Sequence, residues 1–326
     1  MIAILIISFN TLDLTLRCLQ SVFACADGFE LEVIVVDNAS ADGSPQAIEQ
    51  QFPQVKLIRN PTNAGFGAAN NLAMAAASPA ADYFLLLNSD AFLSPGALKA
   101  MVAIMEAQPA VGLVGPRLEY APGKLQQSVY YFPSPGRAWL ESLWITAVTP
   151  VRSGWDDLRH WPHDSDWLCP WVIGACMLVR RAVYQQVGGF DEAMFMYAEE
   201  TDWQKRIAGA GWKIAFTPRA LVTHLGGASS ASSKPKISQM SLDSQNYFIR
   251  KHHGPLGLFV FRIANIVGAI ARILFWTLIR LAKPARRQQA TAKIALFKYI
   301  AHQQSRLLTQ PPGRQKAGTK ELEVRS

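Results

Sequence analysis

The stretch Leu85-Leu86-Leu87-Asn88-Ser89-Asp90-Ala91-Phe92 begins as an apolar run and ends in polar side chains. A continuous apolar run is typical of a strand that is buried on both faces of a sheet. Asn, Ser and Asp favour turns, so the polar end could be a plain turn. Open α/β sheets bind ligands outside the carboxyl ends of their strands, so the same residues could instead form a ligand site. The ends of the neighbouring strands bear on this choice.

Short β-branched runs alternate with helical stretches from residue 1 to about 116. The alternation predicts an α/β fold with a mostly parallel sheet and helices on both faces. Residues 117–170 are irregular and rich in Trp, Pro and Tyr. We expect most of these tryptophans to lie in a core, because aromatic side chains dominate core energetics, although they could also stack on sugar or lipid. Strand and helix patterns resume from residue 171.

Three earlier strands also end in polar residues, within the segments SFN (8–10), VDNASADGS (36–44) and RNPTNAGFG (59–67). Such exits should place amides and carboxylates at one edge of the sheet, where a nucleotide would lie. Asp37 can accept hydrogen bonds from a base edge. Asp90 is a hard oxygen ligand suited to Mg²⁺ or Mn²⁺, a metal that is usually shared with substrate phosphates. The candidate nucleotide-sugar-binding residues at these exits are Ser8, Asn10, Asp37, Asn38, Asn88 and Ser89.

A second polar cluster lies further along the chain, in the segments YAEETDW (197–203) and VTHLGG (222–227). Glu199, Glu200 and Asp202 would repel one another on a helix unless a cation or a general-base role holds them there. An acidic helix start, favoured by the helix dipole, is the alternative interpretation. His224 ends an apolar strand, where it could be structural or a metal ligand.

These motifs carry a resemblance when they are taken in order. The set SFN, VDNASADGS, NAGFGAANN, LLLNSDA, GACMLVRR, VGGFDEAMFMYAEETDWQKRIAGAGW and VTHLGGAS resembles the family 2 glycosyltransferases. More narrowly, it is similar to the rhamnosyltransferase-like enzymes that build bacterial surface polysaccharides. The resemblance covers residues 1–228. It implies a GT-A fold, a nucleotide-diphosphate-sugar donor and an inverting mechanism.

The resemblance also implies roles for single residues in the donor site. Asp37 matches the acid that contacts the pyrimidine base, and the stretch lining the nucleotide pocket adds Asn63, Phe66 and Asn70. Asn88 and Asp90 match the outer positions of the D-x-D metal motif, in which Asn88 replaces the usual first Asp. On this basis Asn88-Ser89-Asp90 is a ligand site at the exit of the fourth strand rather than a plain turn.

The remaining site residues follow from the second cluster. Glu200 matches the second acid of the family's E-D pair, the usual catalytic base, and Glu replaces Asp there. Glu199 and Asp202 flank it as further catalytic candidates. His224 matches a histidine near the metal and the pyrophosphate, so Asp90 and His224 are the expected metal ligands. The expected cofactor is Mg²⁺ or Mn²⁺.

The charge of the chain is divided unevenly. Residues 1–228 carry 15 Lys+Arg against 21 Asp+Glu, whereas residues 229–326 carry 17 against 3. A basic segment of this kind predicts a polyanionic partner, either nucleic acid or anionic lipid. The aromatic residues of the tail do not interleave with its basic residues as stacking on bases would require, so an anionic membrane surface is favoured over nucleic acid.

Residues 256–282 form the most apolar segment of the chain. At 100° per residue, its polar positions and the basic ones just beyond fall within an arc of about 80°, opposite a broad apolar face. They are Arg262, Asn265, Arg272, Arg280, Lys283 and Arg287. The pattern is typical of a helix lying in a membrane interface, with a basic stripe toward anionic lipid. A helix packed on the catalytic domain with one exposed stripe is the alternative.

The expected protein is an inverting glycosyltransferase, peripheral on the cytoplasmic face of the cell membrane. It would move a sugar, best L-rhamnose from a dTDP donor, to a lipid-linked or polysaccharide acceptor. The expected class of donor is a dTDP- or UDP-sugar. The expected domains are a GT-A catalytic domain at 1–228, with nucleotide-sugar (1–116) and acceptor (117–228) halves, and a basic helical tail at 229–326. A catalytically inactive, membrane-associated nucleotide-binding scaffold is the alternative function. A nucleotidyltransferase is disfavoured, because SFNTLDLT (8–15) lacks the Gly-rich, Arg-containing loop expected after its first strand.

Overall fold

The computed structural model of the chain describes residues 1–226 and 234–309. The predicted boundary after residue 228 lies outside these ranges. The strands are β1 Ile2–Ser8, β2 Leu31–Asp37, β3 Lys56–Arg59, β4 Tyr83–Asn88, β5 Ala91–Leu93, β6 Val111–Ala121, β7 Lys124–Gln126, β8 Val129–Tyr130, β9 Trp167–Cys169, β10 Trp171–Val172, β11 Cys176–Arg180 and β12 Lys213–His224. The helices are α1 Leu12–Ala24, α2 Ser44–Gln51, α3 Phe66–Ala76, α4 Ala97–Ala107, α5 Pro135–Ser142, α6 Arg181–Val187, α7 Glu199–Gly209, α8 Lys234–Ala282 and α9 Arg287–Thr309.

The main sheet confirms the predicted α/β fold. Its strand order in the described residues is β3-β2-β1-β4-β11-β6-β12-β5, with β7 on β6 and β9 on β12. The strands β3, β2, β1 and β4 are mutually parallel, and β12 is parallel to β6. β11 lies antiparallel between β4 and β6. On the path from β3 to β12, every strand except β11 therefore has at least one parallel neighbour.

The register of the parallel strands brings their polar exits together. Ser8 of β1 pairs with Asp37 of β2, and Ile7 pairs with Asn88 of β4. β1 is buried along almost its whole length, because α1 and α4 contribute to the core on one face of the sheet and α3 contacts β1 and β2. Burial on both faces holds the register, since a one-residue slip would turn every side chain to the other face. The exits therefore share one edge.

The chain forms two compact units. One contains Met1–Phe132 and Trp161–Ser244, and the other contains Pro133–His160 and the helical region from Gln245 onward. The second unit thus takes in part of the irregular segment that the sequence places in the acceptor half. The division into a catalytic domain and a tail at residue 228 stays a prediction.

Helix α8 consists of two helices divided at Gly254, where φ is +70°. Glycine adopts this left-handed conformation without steric cost, and Pro255 then starts the next helix, since proline suits a first helical turn. The predicted helical segment 256–282 therefore exists as a helix of its own. Among the described residues, Gln239–Ala282 is long and apolar enough to cross a membrane, and 28% of its most apolar window is buried.

The basic stripe of this helix is placed differently from the prediction. Arg262 donates to Asn246 Oδ1 (3.0 Å) and to the carbonyl of Leu307 (2.8 Å). Arg272 donates to the carbonyls of Gly268 and Glu141, at 3.1 and 2.7 Å. The expectation that these two arginines face lipid is not met, because each directs two hydrogen bonds at oxygens inside the helical unit.

The tryptophans of the irregular segment divide between core and surface. Trp161 is buried against Phe216 and His163, as expected for a core residue. Trp144 and Trp155 are exposed, in contrast to that expectation. The others, Trp139, Trp167 and Trp171, are half-buried.

Candidate active site

Asp37 lies at the end of β2 with its side chain buried. Its Oδ2 accepts a hydrogen bond from the backbone N–H of Ser40 at 3.0 Å. Its Oδ1 is also buried and has no hydrogen-bond partner among the described residues. A buried carboxylate oxygen without a hydrogen-bond partner costs free energy, so such an atom calls for an explanation. A bound ligand with an N–H donor would supply the partner.

Asn38 uses all of its hydrogen-bonding capacity within the protein. Its amide nitrogen donates to Asn63 Oδ1 (2.9 Å) and to the Gly65 carbonyl (3.2 Å). Its oxygen accepts from Asn60 Nδ2 and from the backbone of Ala64, at 2.9 and 3.1 Å. An asparagine side chain has two donors and two acceptor positions, so none is left for a ligand. The structure therefore gives Asn38 the role of shaping the loop after β3.

Three other predicted nucleotide residues also make contacts within this region. Asn10 Oδ1 accepts from the backbone of Ala41 at 2.8 Å, which ties the exits of β1 and β2 together. Asn70 is buried and donates to the carbonyl of Phe66 one turn earlier, at 2.9 Å. The backbone N–H of Phe66 donates to the carbonyl of Phe195 at 3.2 Å. The segment before α7 thus touches the loop of the predicted nucleotide pocket.

A glycine permits this contact. Gly65 has a φ of +85°, and a Cβ there would collide with the carbonyl oxygen of Phe195. The glycines of NAGFG, which alone are a weak sign of a nucleotide fingerprint, therefore have a packing reason here.

Ser8 and Ser89 belong to a buried cluster of hydroxyl groups. Ser8 Oγ lies 3.0 Å from Thr15 Oγ1, and Thr11 Oγ1 lies 3.1 Å from both Thr15 Oγ1 and Ser89 Oγ. The cluster joins the exit of β1 to the exit of β4 through the first turn of α1. We interpret Ser8 and Ser89 as residues that hold the Asn88–Asp90 loop in place.

Asn88, Asp90 and His224 converge at this edge. His224 Nε2 lies 3.3 Å from Asp90 Oδ1 and 3.5 Å from Asn88 Nδ2. Asp90 and His224 are both buried, and strand pairing of β12 with β5 brings His224 opposite Ala91. The sequence placed these residues in two separate motifs, 136 positions apart for Asn88 and His224. The fold joins them.

The residues present fit a divalent cation. Two ligands at neighbouring corners of an octahedron with bonds of about 2.1 Å lie about 3 Å apart, close to the separation of Asp90 Oδ1 and His224 Nε2. No group of three His, Cys, Asp or Glu suited to a metal occurs within residues 1–226 and 234–309 as described. One or two protein ligands are the usual number where substrate phosphates supply the rest. Asp90 and His224 would therefore hold Mg²⁺ or Mn²⁺ together with a diphosphate.

Gln126 was missed by the sequence reasoning, because a lone glutamine on an irregular segment carries no motif. Its buried Oε1 lies 3.0 Å from His224 Nδ1. A proton on Nδ1 that is donated to Gln126 leaves the lone pair of Nε2 directed at the Asp90 side. The outer partner of an imidazole sets its tautomer in this way in metal sites.

Glu199 and Glu200 begin α7, and each has a buried Oε2 without a hydrogen-bond partner among the described residues. Gly174 lies directly against Glu200: a Cβ at that glycine would be 3.1 Å from Glu200 Cγ. The next residue, Ala175, accepts a hydrogen bond from the backbone of Asn88 at 2.9 Å. Gly174 and Ala175, in the GACMLVRR motif, thus lie next to the acidic cluster and the metal motif, respectively.

Burial raises the pKa of Glu200 above its ordinary value of 4.5. Burial, and then repulsion from Glu200, raises the pKa of Glu199 well above the same value. Two adjacent buried carboxyls disfavour the doubly ionised state, so the first proton is held by the pair. Because burial raises the pKa of both carboxyls, the ionised member of the pair is a stronger proton acceptor than an exposed carboxylate.

Asp202 occupies a different environment. Its side chain is fully buried and forms an ion pair with Arg206 at 2.9 Å. Arg206 also donates to the carbonyls of Val187 and Gly189, at 3.0 and 2.6 Å. The pair therefore anchors α7 to the segment after α6, and we assign Asp202 a structural role instead of a catalytic one.

We expect Asp202→Ala to lower the free energy of unfolding by about 3–5 kcal/mol, because the change leaves Arg206 without its buried partner. Glu49→Ala is the matched control, since Glu49 pairs with Arg59 at the surface. Breaking an exposed pair should cost at most about 1 kcal/mol. Urea unfolding of both variants measures the difference. Equal effects would show that Asp202 has no anchoring role.

The chain is similar to known proteins in both sequence and structure. The family described as "Glycosyl transferase family 2" matches residues 3–188. The N-acetylglucosaminyl-diphospho-decaprenol L-rhamnosyltransferase of Mycobacterium tuberculosis (strain H37Rv) is 32% identical over 212 residues, which cover 60% of this chain and 66% of that protein. The chain thus spans just under two thirds of that relative's length. Rhamnosyltransferase WbbL of Escherichia coli K12 is 27% identical over 258 residues, 77% of this chain and 94% of that protein.

Two solved structures share the fold. The mannosyltransferase PcManGT of Pyrobaculum calidifontis, in complex with GDP-Man and Mn²⁺, aligns with a TM-score of 0.55 at 18% identity, over 94% of this chain and 84% of that one. GalNAc-T7 with UDP, GalNAc and Mn²⁺ aligns with a TM-score of 0.52 at 14% identity, over 77% and 50%. At these identities the likeness concerns the fold, which is that of the GT-A glycosyltransferases.

Proposed function

The chain belongs to glycosyl transferase family 2, and we propose that it is an inverting enzyme that moves a sugar from a nucleoside diphosphate to a lipid-linked glycan. One observation carries the proposal. A single compact unit contains the unpartnered Oδ1 of Asp37, the Asn88–Asp90–His224 group and the unpartnered Oε2 of Glu200. These are a base-binding group, a diphosphate and metal group, and a proton acceptor.

The donor is a pyrimidine nucleotide. The buried Oδ1 of Asp37 is an acceptor, and the ring N–H of uracil or thymine is the donor that it lacks. A dTDP or UDP sugar meets this requirement. The printed names of the Mycobacterium and Escherichia relatives are those of rhamnosyltransferases, which supports L-rhamnose as the sugar.

Asp90 and His224 would hold Mg²⁺ or Mn²⁺ at the diphosphate of the donor, and a bound cation would supply stabilisation of the negative charge on the leaving group. Asn88 is the neutral third group at this point, so the protein side of the site has one carboxylate charge where the family's D-x-D motif has two. The Ser8–Thr11–Thr15–Ser89 hydroxyl cluster keeps this loop in register with β1.

Glu200 is the general base for the acceptor hydroxyl. Its Oε2 is unpartnered, its raised pKa makes it a better proton acceptor than an ordinary carboxylate, and the absence of a side chain at Gly174 lets the backbone lie directly against it. An inverting displacement requires no covalent intermediate. The protein therefore needs to supply only a general base and a site that binds the acceptor hydroxyl in the correct orientation. Burial and repulsion from Glu200 raise the pKa of Glu199, which favours its neutral form beside the base.

The acceptor is lipid-linked and the enzyme is peripheral on the cytoplasmic face of the cell membrane. The Mycobacterium relative is named for an acceptor on diphospho-decaprenol, which supports a lipid carrier. The long apolar helix within α8 and the excess of Lys and Arg in residues 229–326 support a membrane surface with anionic lipid as the partner.

A screen of nucleotide sugars tests the proposal. A donor that binds the folded protein raises its melting temperature by mass action, so the correct nucleotide should give the largest shift. The same donor with a lipid-linked acceptor should release nucleoside diphosphate at the rate of sugar transfer. Binding without any transfer or release would instead identify the chain as a nucleotide-binding scaffold.

Gln126 gives a prediction about the metal site. We expect Gln126→Leu to weaken Mn²⁺ binding in the presence of nucleoside diphosphate by about 10–100-fold, the usual effect of removing an outer hydrogen-bond partner. Gln126→Glu keeps an acceptor for His224 Nδ1 and should bind more tightly than the Leu variant. Titration by calorimetry or by the electron paramagnetic resonance of free Mn²⁺ measures the constants. Gln127→Leu is the neighbouring control, and equal constants for it and Gln126→Leu would refute the role.

A further inference from the structure

The outer face of the helix that starts at Pro255 is apolar and open. Its members recur every three or four residues, which places them in one stripe along the helix. They are Leu256, Phe259, Ile263, Val267, Ile270, Leu274, Leu278 and Leu281. Of these, Leu256, Leu274, Leu278 and Leu281 are 75, 62, 65 and 69% exposed. Over these residues the stripe is about 38 Å long, at 1.5 Å per residue.

The opposite face of the same helix contains the polar residues. Arg262 and Arg272 point into the helical unit, where their guanidinium groups bind backbone carbonyls of the unit. Asn265 donates to the carbonyl of Phe261 at 2.9 Å. A helix of a water-soluble protein has the reverse arrangement, with its apolar face inward. This helix is therefore oriented for an apolar surrounding.

Aromatic residues extend the stripe sideways. Trp144, which is itself exposed, lies 6.2 Å from Phe275 between ring centroids. The guanidinium carbon of Arg272 lies 4.9 Å from the centre of the Trp144 ring. Arg272 thus holds Trp144 beside the stripe. Tryptophan is common at the level of lipid headgroups, where its ring is partly in hydrocarbon and partly in water.

Exposed basic residues flank the stripe along the chain. Arg250 and Lys251 precede it, and Arg280, Lys283, Arg286 and Arg287 lie at its other end, whereas the stripe from Leu256 to Leu278 contains no charge. This separation matches the two layers of a bilayer surface, with hydrocarbon along the stripe and phosphate groups at its ends. Monomeric soluble proteins rarely expose a contiguous apolar stripe of this length to water.

We propose that this stripe inserts into the hydrocarbon of a lipid bilayer, so that the protein is held mainly by apolar burial and only secondarily by charge. The proposal rests on the membrane location given under the proposed function, and it specifies which side chains enter the bilayer. It differs from adsorption through the basic stripe, because Arg262 and Arg272 are engaged within the protein. A bilayer of neutral phosphatidylcholine should then suffice for binding.

Flotation of the full chain with vesicles tests this. We expect binding to phosphatidylcholine vesicles that persists at about 0.5 M salt, where charge interactions beyond about 3–4 Å are screened. Leu274→Ser with Leu278→Ser should lower the partition coefficient about 100-fold, since each lost leucine contributes about tenfold. Leu72→Ser with Leu168→Ser, which removes two exposed leucines elsewhere, should leave it unchanged. Arg280→Gln with Arg287→Gln should weaken only the additional binding to vesicles containing phosphatidylglycerol.

Three results would overturn the proposal. Binding to anionic vesicles alone, lost at high salt, would show adsorption by charge. A dimer in solution that the Leu274 and Leu278 changes dissociate, with no vesicle binding, would show that a second copy covers the stripe. Equal loss of binding in the control pair would show a general effect of removing surface leucines. Nucleotide-sugar binding by the same samples monitors the active site separately, so a failure there concerns the proposed function and not the stripe.

Discussion

We expect Glu200→Gln to lower turnover by about 10²–10⁴-fold, the range of general acid–base catalysis, while affinity for the donor nucleotide stays near that of the wild type. Gln has the shape of Glu but cannot take up the proton of the acceptor hydroxyl. The burial that raises the pKa of Glu200 also sets the pH dependence. Below that pKa the carboxyl is protonated and inactive, so wild-type kcat/KM should fall with decreasing pH at values above 4.5, the ordinary pKa of Glu. The Glu200→Gln variant should not show this fall in kcat/KM with decreasing pH.

Glu199→Gln is the control for this experiment. Gln has the shape and the neutral charge of the protonated carboxyl that burial favours at Glu199, so turnover should stay within about tenfold of the wild type. Single-turnover transfer and equilibrium binding of the donor, measured separately, distinguish chemistry from affinity. An inactive Glu199→Gln beside an active Glu200→Gln would place the base one residue earlier.

We expect Asp90→Ala to abolish transfer and to remove the increase in donor affinity that Mg²⁺ or Mn²⁺ produces. Asp90 Oδ1 lies 3.3 Å from His224 Nε2, and without it only His224 and Asn88 remain to hold the cation. Loss of the cation that would stabilise the leaving group should cost at least about 10²–10³ in turnover, the range for removing one electrostatic stabiliser of a transition state. Calorimetric titration with UDP and dTDP, with and without Mn²⁺, measures the coupling independently of activity.

Asp82→Ala removes a carboxylate of the same size that contacts only the amino terminus among the side-chain interactions the structure describes. It should retain both turnover and the metal-dependent gain in affinity. Wild-type turnover by Asp90→Ala in chelator-treated buffer would disprove the metal assignment.

The parallel half of the sheet could be predicted from the sequence because its signals are local. Buried strands such as β4, Tyr83–Asn88, contain unbroken apolar runs, and their polar exits follow directly along the chain. Parallel strands with buried faces can pair only with their ends at one edge, so Asp37 and Asp90 had to lie at that edge. The antiparallel insertion of β11 had no such signal, since a short apolar run does not reveal its direction.

The roles within the acidic cluster could not be separated in the same way. Glu199, Glu200 and Asp202 have similar side chains within one turn of a helix. Their environments differ because other segments reach them: Arg206 pairs with Asp202, whereas Gly174 lies against Glu200. A pKa and a hydrogen-bonding role depend on these neighbours, so the assignment needed the tertiary structure.

By itself, the sequence determined the GT-A fold, the edge of the sheet where the site lies and the amphipathic pattern of residues 256–282. Only the tertiary structure decided that Gln126 supports His224, that Asp202 is an anchor, and which way the helix faces. Helical periodicity separates two faces but does not say which one turns inward. That depends on the carbonyls of Glu141 and Leu307, which are far from Arg272 and Arg262 in the chain and satisfy their guanidinium groups. With those donors bound inside, the apolar face is left outside.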